Sequence, residues 1–328
     1  MAGGEKTPRA GRSGRKAAAR PTAPRILCAG IIVLDEVFRV EALPPPDGKV
    51  EAKGFFIVNG GCAANAAVAI ARLGGRAALS GPVGSDANGD FVLKALAREN
   101  VDCAACRRLA GTATALSAIF IDPRGDRTIV TYRDERVAAA APADPAALAA
   151  AADLLLADNR YPRFVRPICE AARRRNLPIV LDGDKATVAD DPLFRIATHV
   201  VFSSECLIAT TGRSDLADGL RRIAEQTDAF LAVSNGPNDI LFLDGRALRR
   251  VPVFKIRAVD TLGAGDALHG GFALALAEGK SEREALRFGA AVAGLKCTRI
   301  GGSAGAPTRT EVEAFLAEYE APAPARKS

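Results

Sequence analysis

The sequence predicts an α/β fold: a central, mostly parallel sheet flanked by helices, with a small β-sheet lid. Three observations lead there. Short apolar runs alternate with Ala-, Leu- and Arg-rich helical stretches through most of the chain, as the strands and crossover helices of a parallel sheet do. Two regions, 37–58 and 113–133, break this rhythm and read as antiparallel hairpin strands interrupted by turns, most plainly in SAIFID and RTIVTY. A chain of 328 residues with 48% apolar content also has ample material for a buried core.

Taken in order, residues 1–24 are rich in Ala, Gly, Pro and Arg and contain no secretory apolar run; they read as a disordered basic tail, with an organelle transit peptide as the alternative. Residues 25–34, RILCAGIIVL, form one apolar run ending at Asp35, as a buried strand would. The first lid segment, 37–58, follows, and the second spans 113–133. The Ala-rich stretch 138–152, with Pro142 and Pro145, is expected to connect lid to core and then start a helix. Apolar runs at 152–157, 178–182, 199–203 and 229–234 alternate with helical stretches such as 163–176 and 215–227. One large α/β domain over 25–320 results, and the Pro- and Ala-rich end, 321–328, is expected to fray.

The net charge is +6, but the first 24 residues hold six basic side chains against one acidic, so five of those charges belong to the tail. A nearly neutral folded part weighs against a nucleic-acid-binding surface. No stretch has the 18 or so uncharged apolar residues that a membrane span requires, so neither a membrane nor a nucleic-acid partner is expected and the chain reads as cytoplasmic. Seven cysteines at irregular spacing suggest reduced thiols. The lone C-x-x-C at Cys103 and Cys106 lacks the second pair or nearby histidines of a zinc site, since the chain has only His199 and His269.

The chemistry concentrates in AVDTLGAGDALHGGFALALAEG, residues 258–279. Gly263, Ala264 and Gly265 let the backbone turn sharply into a helix beginning near Asp266, whose first N–H groups have no intrahelical partner. Together with the positive end of the helix dipole they form a site for an anion. A carboxylate there competes with bound phosphate unless it has work to do, which makes Asp266 a candidate general base beside amides that stabilise a transferring phosphoryl group. Read alone, GAGD fits a helix cap equally well.

Asp260, Thr261, Gly263, Ala264, Gly265, Asp266 and Gly270 fit D-T-x-G-A-G-D-x-x-x-G, which resembles the C-terminal signature of the ribokinase (PfkB) family of carbohydrate kinases. NGGCAANAAVAIARLGG at 59–75 resembles the N-terminal one. The resemblance spans about 25–317 and implies a ribokinase-like α/β core with a β-sheet lid, ATP and Mg2+ as cofactors, and phosphorylation of a sugar hydroxyl. It further implies Asp35 as a ligand for sugar hydroxyls, Gly60, Gly61 and Asn65 as the substrate-binding loop, and Ser234 and Gly236 against the ATP phosphates. GLKCTRIGGSAGAP at 294–307 resembles the region around the adenine and a monovalent-cation (K+) site whose ligands include Asp260. The family's N-x-x-E motif, which supports magnesium, falls where this chain has Ser203, Ser204, Glu205 and Cys206, leaving Glu205 as the candidate. Pairing of two lids in a homodimer is a further implication.

Substrate choice should depend on the lid and on the strand ends facing it, which carry Lys49, Thr131 and Arg160. Basic groups converging on one pocket suit an anionic sugar; exposed lid charges are the plainer reading. G-K-V after the first strand, L-A-D-x-R, L-D-G-D at 181–184 and L-K-C-T-R-x-G-G look closest to the 6-deoxy-6-sulfofructose kinases, which would have Lys49 and Arg160 meeting the sulfonate of a ketohexose phosphorylated at O1. Ribokinase, fructokinase and 2-keto-3-deoxygluconate kinase are the alternatives among enzymes, and a catalytically silent sugar-binding sensor is the alternative from another class.

Overall fold

A computed structural model describes residues 23–125 and 127–320. The basic tail expected over 1–24, apart from its last two residues, and the frayed end expected over 321–328 lie outside the described residues. The chain enters the main sheet in β1 (Arg25–Ala29), crosses to a smaller sheet in β2 (Val33–Arg39) and β3 (Gly54–Gly60), and returns through α1 (Cys62–Arg72) to β4 (Arg76–Ser80). β5 (Pro82–Gly84), α2 (Ala87–Arg98) and β6 (Arg107–Leu109) lead back to the smaller sheet, completed by β7 (Ala115–Ile121) and β8 (Arg127–Tyr132).

Two short helices, α3 (Glu135–Ala138) and α4 (Pro145–Ala150), precede the alternation β9 (Leu154–Asp158), α5 (Pro162–Arg174), β10 (Ile179–Gly183), α6 (Pro192–Ile196), β11 (His199–Ser203), α7 (Ser204–Thr211), α8 (Leu216–Ala224) and β12 (Phe230–Asn235). A hairpin follows, β13 (Asn238–Asp244) and β14 (Ala247–Val251), then α9 (Ala264–Ala277), α10 (Glu282–Cys297), a 3-10 turn over Gly302–Gly305 and α11 (Arg309–Glu320).

The main sheet has eight strands in the order β14-β13-β12-β11-β10-β9-β1-β4, parallel from β4 to β12 and antiparallel beyond. Its central strands are apolar on both faces because helices cover both. α1, α9 and α10 pack on one side through residues such as Ile70, Phe272 and Leu286; α5 to α8 pack on the other through Phe164, Phe194 and Leu220. Side chains placed at the helix starts fix their boundaries: Asp86 accepts from Gly89 N at 2.9 Å, Asp144 from Ala147 N at 2.9 Å, and Ser281 with Glu284 forms a capping box. No helix among the described residues is long and apolar enough to cross a membrane.

The run 25–34 is not the single strand that its composition suggests. It breaks at Gly30, with β1 in the main sheet and β2 in the lid, so Asp35 stands in the third position of a lid strand rather than at the end of the first strand. The cause is contact: a methyl group at position 30 would overlap the Asp158 carboxylate, and only glycine lets the chain turn there.

The lid sheet runs β3-β2-β7-β8. Both expected hairpins form, and a parallel β2–β7 pair joins them. Residues paired across a sheet share a face, so Val58, Asp35, Ser117 and Thr131 form one row. The opposite face carries Phe55, Phe38 and Phe120 in one row, and Ile57 and Val130 in the next.

Candidate active site

A group of acidic and hydroxyl side chains gathers at the carboxyl ends of the parallel strands, where open α/β sheets present their ligand crevice. Asp158 ends β9, Asp182 and Asp184 bracket the end of β10, Ser203 ends β11, and Ser234 and Asn235 end β12. α9 points its N-terminus at this edge, tied to β11 through His269, whose Nε2 lies 3.1 Å from the Val201 carbonyl and whose Nδ1 lies 2.7 Å from that of Gly265.

α9 begins at Ala264, two residues earlier than the sequence suggests, with Gly263 as its N-cap at φ 75°. That left-handed backbone is open to glycine at little strain. The Ala264 N–H is taken by the Thr261 carbonyl at 3.2 Å. Among the described residues no intramolecular acceptor meets the N–H groups of Gly263, Gly265 and Asp266. The free donors are therefore 263, 265 and 266 rather than 263 to 265.

Asp266 does not cap its own helix; α9 has no side-chain cap at all. Its Oδ2 instead accepts a 2.7 Å hydrogen bond from Asn65 Nδ2, on the second turn of α1. Asn59 Nδ2 continues the chain, 3.4 Å from Asn65 Oδ1 and 2.9 Å from Ser303 Oγ. Burial pushes the Asp266 carboxyl up to about 7 against the Asn65 hydrogen bond, and the charges of Asp184, Asp158 and Asp35 push the same way. A carboxylate poised near neutrality can accept a proton from a hydroxyl and later release it.

Around it, Asp35 is buried in β2, and burial raises it to about 6 although Ser117 donates a hydrogen bond to it. Asp158, fully enclosed, is likewise raised to about 6 by burial, opposed by the N–H groups of Ile31, Ala63 and Arg160. Burial and the neighbouring Asp184 and Asp266 charges hold Asp182 well above the usual carboxylate range. This much unneutralised acid does not stabilise a fold; such groups gather where ligands bind.

Gly60 and Gly61 shape the entrance. A side chain at Gly60 would overlap the Asp35 carboxylate, and one at Gly61, at φ 95°, would run into the Ile31 carbonyl. Cys62 Sγ lies 3.5 Å from Asp184 Oδ2, and its sulfur falls within 4.8 Å of ligand oxygens of Asp182 and Asp266. Burial holds this thiol protonated, which makes it a poor metal ligand. Arg160 is half-buried and already paired with Asp184, with Nε to Oδ2 at 2.5 Å.

The remaining expected residues spread around this centre. Thr131 shares a row with Asp35 and is exposed, and Lys49 is exposed on the loop between β2 and β3. Ser234 donates to the Phe202 carbonyl at 3.3 Å beside Ser203, and Gly236 forms the following turn at φ 53°. Glu205 stands exposed in the first turn of α7, accepting from Ser204 Oγ at 3.0 Å. Asp260 departs from expectation. Its Oδ1 accepts from Leu262 N at 2.8 Å and its Oδ2 from Gly301 N and Gly302 N at 2.9 and 3.2 Å, while the ammonium of Lys296 lies 3.2 Å from Oδ2. Burial pushes this carboxyl up, but the Leu262 N–H and the Lys296 charge outweigh it and hold it below its ordinary value. These residues do not fit a free K+ ion, because an internal cation already occupies the carboxylate.

Sequence reasoning singled out Asp266, Asn65 and Asp35, which the fold brings together; Asn59, Asp182, Lys296 and Ser303 lie within the stretches quoted for the resemblance but received no role of their own. Asp182 and Asp184 left a trace, since each lies where an apolar run ends. A broad groove of about 1540 Å3 opens at the opposite edge, around Thr198, Phe230 and Arg249, at the amino ends of β11 and β12, away from these residues.

Comparison with known proteins shows what the whole chain is similar to. The sequence model described as pfkB family carbohydrate kinase matches residues 23–309. Ribokinase of Bacillus subtilis (strain 168) is 28% identical over 296 residues, covering 89% of this chain and 99% of the relative. Ketohexokinase of Mus musculus is 26% identical over 288 residues, covering 83% and 96%. Among solved structures, a provisionally named ribokinase from Agrobacterium tumefaciens superposes with a TM-score of 0.87 at 37% identity, covering 90% of this chain and 98% of that one. An Arabidopsis thaliana ribokinase complexed with ribose and ATP shares the fold, with a TM-score of 0.78 at 23% identity over 90% and 99% of the two chains.

Proposed function

The chain belongs to the pfkB family of carbohydrate kinases, and from that premise we propose that it moves the γ-phosphoryl group of ATP to a hydroxyl of a furanose sugar with Asp266 as general base. One observation carries the assignment: Asp266 stands in the first turn of α9, bonded to Asn65 and facing other carboxylates, with none of its oxygens used on its own helix. Asn65 fixes the carboxylate's orientation, so its remaining lone pairs point at the substrate hydroxyl. As that hydroxyl loses its proton to Asp266, the free N–H groups of 263, 265 and 266 face the charge spreading over the phosphoryl oxygens.

The sugar lies between Asp35 and the Gly60–Gly61 loop, where carboxylate oxygens accept from its other hydroxyls. Ser234 and Gly236 border the nucleotide, whose phosphates reach toward α9. Glu205, an exposed oxygen donor at the same edge, would hold Mg2+ by way of its water shell, and the bound ion would neutralise phosphate charge.

A neutral pentose or ketohexose is the substrate class this lining suits best. Arg160 is already neutralised by Asp184, and the pocket's remaining charges are acidic. The second reading, an anionic ketohexose such as 6-deoxy-6-sulfofructose phosphorylated at O1, is favoured by Arg160 and Lys49 and requires the Arg160–Asp184 pair to open. The outer lid face, where Phe55 is 53% and Val130 62% exposed, supports pairing of two chains through their lids.

The test is an ATP-consumption screen over neutral, phosphorylated, carboxylated and sulfonated sugars. Turnover on a neutral pentose or ketohexose is expected. Preference for the sulfonated sugar would establish the second reading, and no consumption with any sugar would leave a sugar-binding sensor.

A further inference from the structure

Lys296 is the only lysine among the buried polar and charged side chains of the described residues, with no exposed surface. Its ammonium reaches from the last turn of α10 to the segment before α9, donating to the Asp260 main-chain carbonyl at 2.8 Å and lying 3.2 Å from the Asp260 carboxylate. That carboxylate also holds the N–H groups of Leu262, Gly301 and Gly302. The cation therefore sits at the junction of three segments: the turn leading into α9, the end of α10 and the glycine loop before the 3-10 turn.

Two routes connect this junction to the centre. Leu262 precedes the N-cap of α9 directly, and Ser303, next to Gly302, starts the hydrogen-bond chain through Asn59 and Asn65 to Asp266. The lid meets the same turn through Arg127, which donates to Thr261 Oγ1 at 2.8 Å.

A buried ion pair is costly to desolvate, and an apolar residue of similar volume often packs at least as stably. Charge at this place is thus poorly explained by stability alone. The family resemblance implies a free monovalent cation held by Asp260, yet both carboxylate oxygens and the main-chain oxygen of Asp260 are already taken, two of these three by Lys296.

We propose that Lys296 is a tethered monovalent cation, a positioning residue whose ammonium replaces free K+ beside the anion-binding turn and makes the protein independent of K+. The carbon stem delivers the charge, so no ion has to be captured and desolvated for the turn to adopt its working shape. The turnover arm of the test rests on the kinase reading; the unfolding arm does not.

The full chain is assayed for ATP-dependent turnover and thermal unfolding in KCl, NaCl and tetramethylammonium chloride at equal ionic strength. Turnover is expected to agree within about twofold and Tm to be the same in all three; activation of about tenfold or more by KCl would overturn the proposal. Lys296→Ala is expected to lose about 10- to 100-fold in kcat with a smaller change in the KM of the sugar, in line with losses at supporting residues. NH4+ or K+ should restore most of it and raise the variant's Tm, whereas tetramethylammonium should do neither.

A folded Lys296→Ala variant with parental turnover, or one whose activity and Tm ignore NH4+ and K+, would also overturn it. If Lys296→Ala does not fold, Lys296→Met keeps the volume without the charge. A folded Lys296→Met with parental kcat would count against the proposal, and one with depressed kcat in every salt would support it. Should no sugar be turned over by the parent, the effect of KCl on the Tm of parent and variant still decides.

Discussion

Asp266 owes its chemistry to neighbours rather than to its own type. An isolated aspartate would be ionised far below neutrality and too weak a base to accept a hydroxyl proton; burial and three nearby carboxylates raise this one to about 7. The Gly-rich turn and the acid in its first helical turn were legible in the sequence, because small residues beside a carboxylate form a local pattern. The roles of Asp182 and Lys296 were not, although both lie in quoted stretches, since their meaning comes from partners far away in the chain. Arg160 is the test of substrate charge at this scale. If it meets an anionic group, Arg160→Ala should reduce kcat/KM for sulfonated or phosphorylated sugars at least about tenfold more than for neutral ones, the worth of one charged hydrogen bond. Equal loss on both would mean that Arg160 serves only to neutralise Asp184.

At the scale of elements, the site depends on three chain reversals: Gly30 between sheets, Gly60–Gly61 into α1, and Gly263 into α9. Strand and helix identities over 152–234 were readable from their periods. The break inside 25–34 was not, because apolar composition continues across it and the Asp158 carboxylate that requires glycine at position 30 lies far along the chain. Gly61→Ala combines a strained backbone with a collision against the Ile31 carbonyl, which cannot move without disturbing the turn between the sheets. It should lower Tm by several degrees and raise the KM of the sugar at least about tenfold. Gly74→Ala also has a positive φ but opens to empty space, so it should cost only about 1 kcal/mol of backbone strain. Equal behaviour of the two variants in thermal unfolding and sugar titration would contradict this.

For the whole molecule, the α/β class followed from the alternation of runs and both lid hairpins from the two segments that break it, whereas the joining of the hairpins by a parallel β2–β7 pair is a long-range feature that no local pattern encodes. The lid has two unlike faces. Asp35, Ser117 and Thr131 line one, and the other exposes Phe55, Ile57 and Val130. If two lids pair through the second face, sedimentation should give a dimer at micromolar concentration, and Val130→Asp should shift it toward monomer by burying a charge in the interface. A monomeric parent, or a Val130→Asp variant as dimeric as the parent, would contradict lid pairing.

As the proposed general base, Asp266 takes up the proton of the substrate hydroxyl. A carboxyl raised to about 7 carries its proton below that pH and is an effective base only above it. The most direct measurement is the pH dependence of kcat/KM for the parent chain, together with turnover and sugar affinity of Asp266→Asn at pH 8. An acid limb near pH 7 is expected in the parent, falling about tenfold per pH unit below it, with a variant that binds sugar but has lost at least about a thousandfold in turnover. A parent rate that stays flat down to pH 5, with near-normal turnover by Asp266→Asn, would contradict it.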